Sequence, residues 1–424
     1  MRIAVVGLGH IGLPLAVQYA GRGHDVVGCD VDERIVAAIN GGRSPHDDEA
    51  ALVERVPELV RAGRLRATTD DAEGVQGAEV VVVIVPVAVD VRRQIDFGPI
   101  DAATREIARG LQPGTLVIYE TTLPVGTTRD RFGPMLEAGS GLQLERDLFL
   151  AFSPERVLVG RVLLDLQRYP KIVGGVSPES TGRAVEFYRS VLDDGTELRA
   201  VANAETAEMT KLAETTYRDV NIALANEYAR YAAKHGINIS EVIEAANSQP
   251  YSHIHLPGVG VGGHCIPVYP HFLFNTDPEL QLPPMARAIN EEMAAFAVSL
   301  LEERLGPIAG SDILVLGIAY RADVREDAFS SAFRLRDELA TAGAVVHGHD
   351  PYFSAEHLAS LGFRPYDLAA PTPIRAAIVQ AAHTAYRSLD WRAIPGLALL
   401  IDGRNALDPA AVAAAGIGYA GIGR

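Results

Sequence analysis

Cysteine is almost missing from this chain: Cys29 and Cys265 are the only two thiols in 424 residues. Two cysteines make neither a disulfide framework nor a structural metal site, so no metal is expected and a reducing cytoplasm fits. Positive charge is short as well, with 38 Lys and Arg against 54 Asp and Glu and a formal net charge of −16. That balance disfavours a nucleic-acid backbone or an anionic membrane as partner, whereas a phosphorylated small molecule needs only a few local donors. No apolar run approaches the roughly 20 residues of a spanning helix. The opening MRIAVVGLG lacks the apolar stretch and cleavage site of a secretory signal. Neither a short repeat nor a low-complexity segment stands out. What remains is ordinary for a globular protein, 48% hydrophobic and 22% charged, at a length that suggests two or three domains.

Strand, turn and helix alternate through the first half. RIAVV (2–6) is a short apolar run of buried-strand type, GLGHIG supplies a tight turn, and LPLAVQYAGRG continues as a helix ended by glycine. DVVGCD (25–30), AEVVVVIVP (78–86), TLVIYETT (115–122) and LFLAFSP (148–154) read as further strands. Repeated β-α-β units predict a doubly wound, mostly parallel sheet. From 203 the pattern becomes helical, over NAETAEMTKLAETTYRDVNIALANEYARYAAKHG and then NISEVIEAANSQ, with a second long helix over 284–305. Alternation resumes with DILVLGIAY (312–320), a helix over 330–342, AVVHGHDP, AAIVQAA and LALLIDGRN. The expected class is α/β: two Rossmann-like, doubly wound parallel-sheet domains, 1–202 and 309–424, joined by a helical region, 203–308, with a long central helix.

Gly7, Gly9 and Gly12 form G-x-G-x-x-G after a strand and before a helix, and Asp30 closes the next strand 18 residues on. In that context Gly7 makes the turn, Gly9 lets the backbone approach a pyrophosphate, and Gly12 permits close helix–strand packing. The helix N-terminus turns its free N–H groups toward the phosphates. Asp30 accepts from ribose hydroxyls and repels a 2′-phosphate, which points to NAD rather than NADP; Arg34, one helical turn on, is close enough in sequence to sit near the ribose. A strand–helix turn without a ligand is the bland alternative.

Lys211, Thr215 and Arg218 recur at i, i+4 and i+7 on the long helix and so share one face. Leu212, Tyr217 and Ile222 are expected to bury other faces, which leaves the polar stripe as either a solvated face or a cleft lining. Glu155 follows a strand behind a proline, and Thr122 stands at the end of another. Both suit a ligand site at the carboxyl ends of parallel strands, and both also suit plain turns. GVGVGGHCIPVYP (258–270) sets Cys265 behind glycines that cannot supply a core but let a backbone bend and approach a ligand. A thiol there is a candidate nucleophile, while Cys29, inside a strand, reads as an inert buried thiol.

Taken in order, GLGHIG, YETTLPVGTT, SPERVLVGR, AEMTKLAETTYRDVNIALANE, GVGVGGHCIPV, LGIAYR and DGRN resemble the nucleotide-sugar 6-dehydrogenases, the UDP-glucose/GDP-mannose dehydrogenase family, over essentially the whole chain. PERVLVG and TYRDVNIA resemble the N-acetylmannosamine or N-acetylglucosamine branch more than the glucose branch, and the chain as a whole is most like the UDP-N-acetyl-D-mannosamine dehydrogenase branch. The resemblance implies an NAD-dependent, four-electron oxidation of the sugar C6 hydroxyl of a UDP-N-acetylhexosamine to the uronate, through a cysteine thiohemiacetal and thioester. UDP- or dTDP-glucose is the alternative substrate, and an inactive nucleotide-sugar-binding scaffold a remote one. It implies Cys265 as nucleophile, Lys211 as oxyanion stabiliser, and Glu155 and Thr122 positioning water and proton for hydrolysis. His264 need not be a base, since neighbours on an extended segment point apart. Gly7, Gly9, His10, Ile11, Gly12, Asp30, Arg34, Pro86, Val87 and Thr122 would hold NAD. Glu155, Arg156, Val157, Lys211, Thr215, Arg218, Tyr251, Gly262, Arg321 and Arg404 would hold the UDP- or dTDP-sugar. A homodimer through the central helix is implied as well, with the C-terminal domain binding UDP.

Several positions depart from the family pattern. Thr215 replaces an asparagine, Tyr269 an aspartate, Val87 a threonine, Gln249 a histidine, Tyr251 an arginine and Arg321 a lysine. Nucleophile, cation and glutamate are retained, so activity is expected, and the departures bear on the sugar and on contacts to the partner subunit.

Overall fold

Five residues, Arg2–Val6, form strand β1, and four of them are buried because helices cover both faces of a central parallel strand. The computed structural model describes residues 1–46, 49–90, 92–157 and 160–424. Its chain divides into two compact units, 1–214 and 215–424.

In the first unit β1 is followed by β2 (Asp25–Cys29), β3 (Leu65–Thr68), β4 (Val80–Val83), a small ribbon of β5 (Ala88–Val89) and β6 (Ile95–Asp96), then β7 (Leu116–Tyr119), β8 (Phe149–Phe152), β9 (Lys171–Gly175) and β10 (Leu198–Ala200). The main sheet runs β10-β9-β8-β7-β4-β1-β2-β3. Every neighbouring pair is parallel except β8 and β9, where Ala151 faces Gly175. After β3 the chain crosses to the far side of β1 and continues as β4, so the order reverses between β1 and β4, where open α/β sheets bind ligands. Helix α1 (Gly12–Gly21) is buried from Gly12 to Ala20 and packs its Leu13, Leu15 and Val17 into the core with Ile3, Val5 and Val82. The strands are shorter than the apolar runs that predicted them: 78–86 yields Val80–Val83, and 115–122 yields Leu116–Tyr119, so Thr122 lies three residues beyond its strand.

The second unit holds a six-stranded sheet of β11 (Asp312–Leu316), β12 (Val345–His349), β13 (Arg364–Pro365), β14 (Ala376–Val379), β15 (Leu399–Asp402) and β16 (Gly418–Gly421), in the order β13-β12-β11-β14-β15-β16 and parallel throughout. The long central helix, Ala204–His235, runs through the boundary between the units and stops before Gly236, whose φ of 65° lies in the left-handed region. Asn238 then caps helix Ile239–Ala246 by accepting from Ser240 N. The second long helix, Leu282–Leu305, begins two residues before the expected span. Ala229 and Ala232 of the central helix meet Ile239, Ile243, Met293 and Ala297 in one core.

Tyr217 corrects an expectation: it is 56% exposed, not buried. Leu212 is fully buried and Ile222 half-buried as anticipated. The difference follows from helix geometry, because Ala225, Ala229 and Ala232 define the packed face and Tyr217 lies on the face with exposed Leu224, Tyr228 and Tyr231.

Inside that helical pair sits a buried polar chain. Arg287 donates twice to the Asp219 carboxylate, at 2.6 and 2.6 Å, and Asn290 adds a third bond at 2.7 Å. Asn226 donates to Asn290 Oδ1 and accepts from Gly258 N, tying the start of the glycine loop to both helices. Removing one side of a buried ion pair leaves the other charge stranded. Asp219→Ala is therefore expected to cost about 3–5 kcal/mol, read as a lower denaturant midpoint in urea unfolding.

Candidate active site

Gly7 begins the turn at the end of β1 with φ +95°, and its N–H donates to Cys29 O. A Cβ at Gly12 would lie 1.8 Å from Gly7 O, so α1 can approach β1 only with glycine there. At Gly9 a Cβ would meet nothing within 4 Å, so the loop backbone faces open space. Ile11 occupies the N-cap of α1, and the His10 ring lies on the His46 ring at 4.3 Å. Asp30 follows β2, half-buried, with Oδ2 accepting from Leu8 N at 2.8 Å and Oδ1 from Asp32 N at 2.9 Å. Those bonds aim a carboxylate at the rim of the glycine loop. A glycine cradle with space before it and a fixed acid beside it fits the pyrophosphate and ribose of NAD. Arg34 is the second residue of α2 (Glu33–Asn40) and its side chain is 91% exposed, the guanidinium paired with Asp32 at 2.7 Å. Past β4, Pro86 is exposed and Val87 buried.

At the carboxyl ends of β7 and β8 the structure builds a charged cluster around Glu155. Ser153 extends the ladder by donating to Tyr119 O, and Glu155 N then reaches Glu120 O at 3.3 Å. Lys171, first residue of β9, donates 2.8 Å bonds to Glu155 Oε2 and to Glu120 Oε2. The Tyr19 and Tyr188 hydroxyls donate to the other Glu120 oxygen. Lys211 Nζ donates to the Glu155 carbonyl at 2.6 Å, and Arg156 pairs with Glu214 at 2.6 Å. The structure thus gathers Glu155, Arg156 and Lys211, with Val157 next along the loop and Thr122 buried on the segment after β7. Leu158 and Val159 of PERVLVG lie outside the described residues. Burial works to raise the Glu155 carboxyl, but the Lys171 ammonium and the Arg156 N–H outweigh it and hold it below the usual carboxylate range. Glu120, deeper, is raised by burial.

Glu208, one turn before Lys211, is also buried and accepts from Gly126 N, Thr128 N and Thr128 Oγ1 at 2.6, 2.8 and 2.6 Å. It caps the helical turn that follows the Thr122 segment, and burial pushes its carboxyl up to about 7. Glu120, Lys171 and Glu208 were not singled out from sequence. The available signal was charge inside apolar runs, as in LVIYE and KIVGGV, together with the rarity of lysine: only Lys171, Lys211 and Lys234 occur among the 38 basic residues.

In the second unit Cys265 is exposed. Its segment is not extended, as expected, but bent: Gly263 has φ +95°, and Cys265 O accepts from Tyr269 N at 2.9 Å to start the turn into helix Pro270–Phe274. The His264 imidazole is engaged by Glu326, whose bond raises its pKa. The glycines also serve the packing of the loop on its own chain. A Cβ at Gly262 would press on Phe329 O and Tyr320 Cβ at 2.9 Å, at Gly263 on the Tyr320 ring at 2.9 Å, and at Gly260 on Ser331 Cβ at 2.8 Å. They let the cysteine loop lie directly on the loops above the second sheet. Arg404 holds it there, donating to Gly260 O at 3.1 Å and Gln380 O at 2.6 Å, and burial lowers its guanidinium to about 10. Arg321 joins the same cluster through a 3.0 Å bond to the Tyr320 hydroxyl. Tyr251, in contrast, is 92% exposed on a turn. Thr215 is buried and Arg218 exposed, the latter lowering the His255 pKa after burial has done so.

The geometry meets its counterparts in known proteins. Three models of the UDP-glucose/GDP-mannose dehydrogenase family match the chain: the NAD binding domain over 1–192, the central domain over 205–293 and the UDP binding domain over 314–409. The UDP-N-acetyl-D-mannosamine dehydrogenase of Pyrococcus horikoshii is 38% identical over 435 residues, covering 100% of this chain and 99% of that protein. Its namesake in Methanocaldococcus jannaschii is 33% identical, over 96% of this chain and 91% of its own. Among solved structures, the P. horikoshii UDP-D-ManNAc dehydrogenase superposes with a TM-score of 0.90 at 36% identity, covering 100% and 99% of the two chains. An NDP-N-acetyl-D-galactosaminuronic acid dehydrogenase from Methanosarcina mazei does so at 0.87 and 32%, covering 100% and 95%.

Two outcomes follow from this geometry. Asp30→Ala removes a charge-assisted bond worth about 1.5–3 kcal/mol, so the KM for NAD should rise more than tenfold and the gap between NAD and NADP should narrow in steady-state kinetics. Glu208, with its folded pKa raised above the unfolded value, contributes stability that is complete below the unfolded pKa and is lost as pH rises through about 7. Wild type should therefore lose more thermal stability than Glu208→Gln between about pH 5 and pH 8, read as the difference in Tm slopes by calorimetry.

Proposed function

Since the chain belongs to the UDP-glucose/GDP-mannose dehydrogenase family and is an NAD-dependent nucleotide-sugar dehydrogenase, we propose that it oxidises C6 of UDP-N-acetyl-D-mannosamine to the uronate. The observation that carries the substrate is the full-length likeness to relatives named for that sugar. NAD, when bound, supplies the hydride acceptor for both oxidations. The C6 alcohol loses a hydride and a proton to give the aldehyde. Cys265 Sγ adds to C6, the thiol proton passing to the carbonyl oxygen, to give a thiohemiacetal. Loss of a second hydride and proton gives the thioester, and water cleaves the C6–S bond to release the carboxylate, a proton and the free thiol. Lys211 Nζ stabilises the C6 oxygen as charge develops on it. Glu155 and Thr122 position the water and its proton for the hydrolysis. Arg156, Val157, Thr215, Arg218, Tyr251, Gly262, Arg321 and Arg404 contact the nucleotide sugar, and Gly7, Gly9, His10, Ile11, Gly12, Asp30, Arg34, Pro86 and Val87 the dinucleotide. The working division remains 1–202 for NAD, 203–308 for the cysteine loop and subunit contacts, and 309–424 for UDP.

We also read the enzyme as a cytoplasmic homodimer. Among the described residues no helix is long and apolar enough to cross a membrane. Tyr217, Leu224, Tyr228 and Tyr231 leave an apolar, aromatic face of the central helix uncovered, with Tyr231 62% exposed. Pairing with a second copy of that helix would bury it. Leu224→Glu/Tyr231→Glu should elute as a monomer by light scattering, and a dimer of unchanged stability would move the interface elsewhere.

The thiol and the sugar are tested by kinetics. Cys265→Ala should abolish uronate formation, while Cys29→Ala, in a buried strand where burial raises the thiol pKa, should leave turnover nearly intact. UDP-N-acetylmannosamine should exceed UDP-glucose and dTDP-glucose in kcat/KM by roughly tenfold to a hundredfold, because a pocket built for an acetamido group leaves polar atoms unpaired around glucose. Two NADH should form per sugar. A tenfold advantage for either glucose nucleotide would overturn the choice of substrate.

A further inference from the structure

Behind Glu155 lies a charge that the reaction as described does not use. Lys171 is the only lysine in the sheet of the first unit, in a chain where arginine fills nearly every other basic position. Its side chain is 5% exposed, between Glu155 at 10% and Glu120 at 0%. Burial therefore deepens from Glu155, which reaches the crevice lined also by Arg156 and Tyr169, through Lys171 to Glu120. The Lys171 ammonium donates to both carboxylates at 2.8 Å.

We propose that Lys171 is a positioning residue for the reaction: with Glu120 as its inner anchor, it fixes the Glu155 carboxylate in place and keeps it ionised to direct water. The inference rests on Glu155 being the water-directing carboxylate. Glu155 alone would be costly to ionise at this depth, and Lys171 supplies the opposite charge. Glu120 in turn holds Lys171, and it is held by the hydroxyls of Tyr19 from α1 and Tyr188 from helix Pro178–Val191. The Lys171 ammonium also lies 4.9 Å from the Tyr188 ring centroid. The other charged or titratable groups around the pair have partners of their own. Arg156 bonds Glu214 and Pro170 O, Lys211 bonds the Glu155 carbonyl, and Asp165 of helix Val162–Arg168 pairs with Arg161. Tyr169 lines the crevice beside them.

A Glu120→Gln/Lys171→Met double variant tests this without stranding a buried charge. The acid limb of its kcat–pH profile should move up by about one to three pH units, with kcat falling more than the KM for the sugar changes. Lys171→Arg, which keeps the charge, should hold the limb near its wild-type position. Infrared difference spectra referenced to Glu155→Gln read the same carboxyl titration without turnover. An infrared shift without a kinetic shift would keep Lys171 as the group that ionises Glu155 but remove Glu155 from water activation. A folded double variant in which neither moves overturns the inference. Should the double variant not fold, Glu120→Gln decides alone: the Glu155 titration should stay at or below its wild-type position, and an upward move overturns the inference.

Discussion

One ammonium group shared by two buried carboxylates organises the carboxyl end of the first sheet. Lys171 draws together the loop after β7, the loop after β8 and the first residue of β9. A β8–β9 pair that is antiparallel, in an otherwise parallel run, is what brings the start of β9 alongside the ends of its neighbours. In an all-parallel order the first residue of β9 would lie at the opposite edge of the sheet. The central helix then fastens to the same place through Lys211 on the Glu155 carbonyl and Glu208 on the turn after Thr122.

The two sheets share a local design with different consequences. Gly7 N bonds Cys29 O after β1, and Gly317 N bonds His349 O after β11. Asp30 accepts from Leu8 N, and Asp350, at the matching position after β12, accepts from Ile318 N. Asp350 is also taken by Ala319 N and His383 and is buried, whereas Asp30 stays half-exposed beside open space at Gly9. The same turn therefore leaves an acid beside open space in one unit and seals it into the protein in the other. Desolvation, not topology, separates the two.

The cysteine loop shows how a residue pattern can mark a close approach without saying to what. Its glycines lie against the protein's own Tyr320, Phe329 and Ser331. Glycine spacing cannot say whether a ligand or a neighbouring loop fills the missing Cβ volume. Tyr217 carries the same lesson for the helix: an aromatic inside an apolar stretch is buried only if its face is the packed one, and the packed face is the one bearing alanine.

Local periodicity by itself determined the two α/β units, the glycine turn with Asp30 beside it, and the placement of Glu155, Lys211 and Cys265 after a strand, on a helix and in a glycine-rich loop. Those features depend on contacts within a few residues or on repeating burial, and both are written along the chain. Tertiary structure alone decided which charges meet. Glu120, Glu155 and Lys171 are separated by 35 and 16 positions, and Asp219 and Arg287 by 68. Nothing in their spacing announces a shared site. Sheet order sets those pairs, and burial then sets their protonation, because a carboxylate's charge depends on the neighbours and dielectric that folding brings around it.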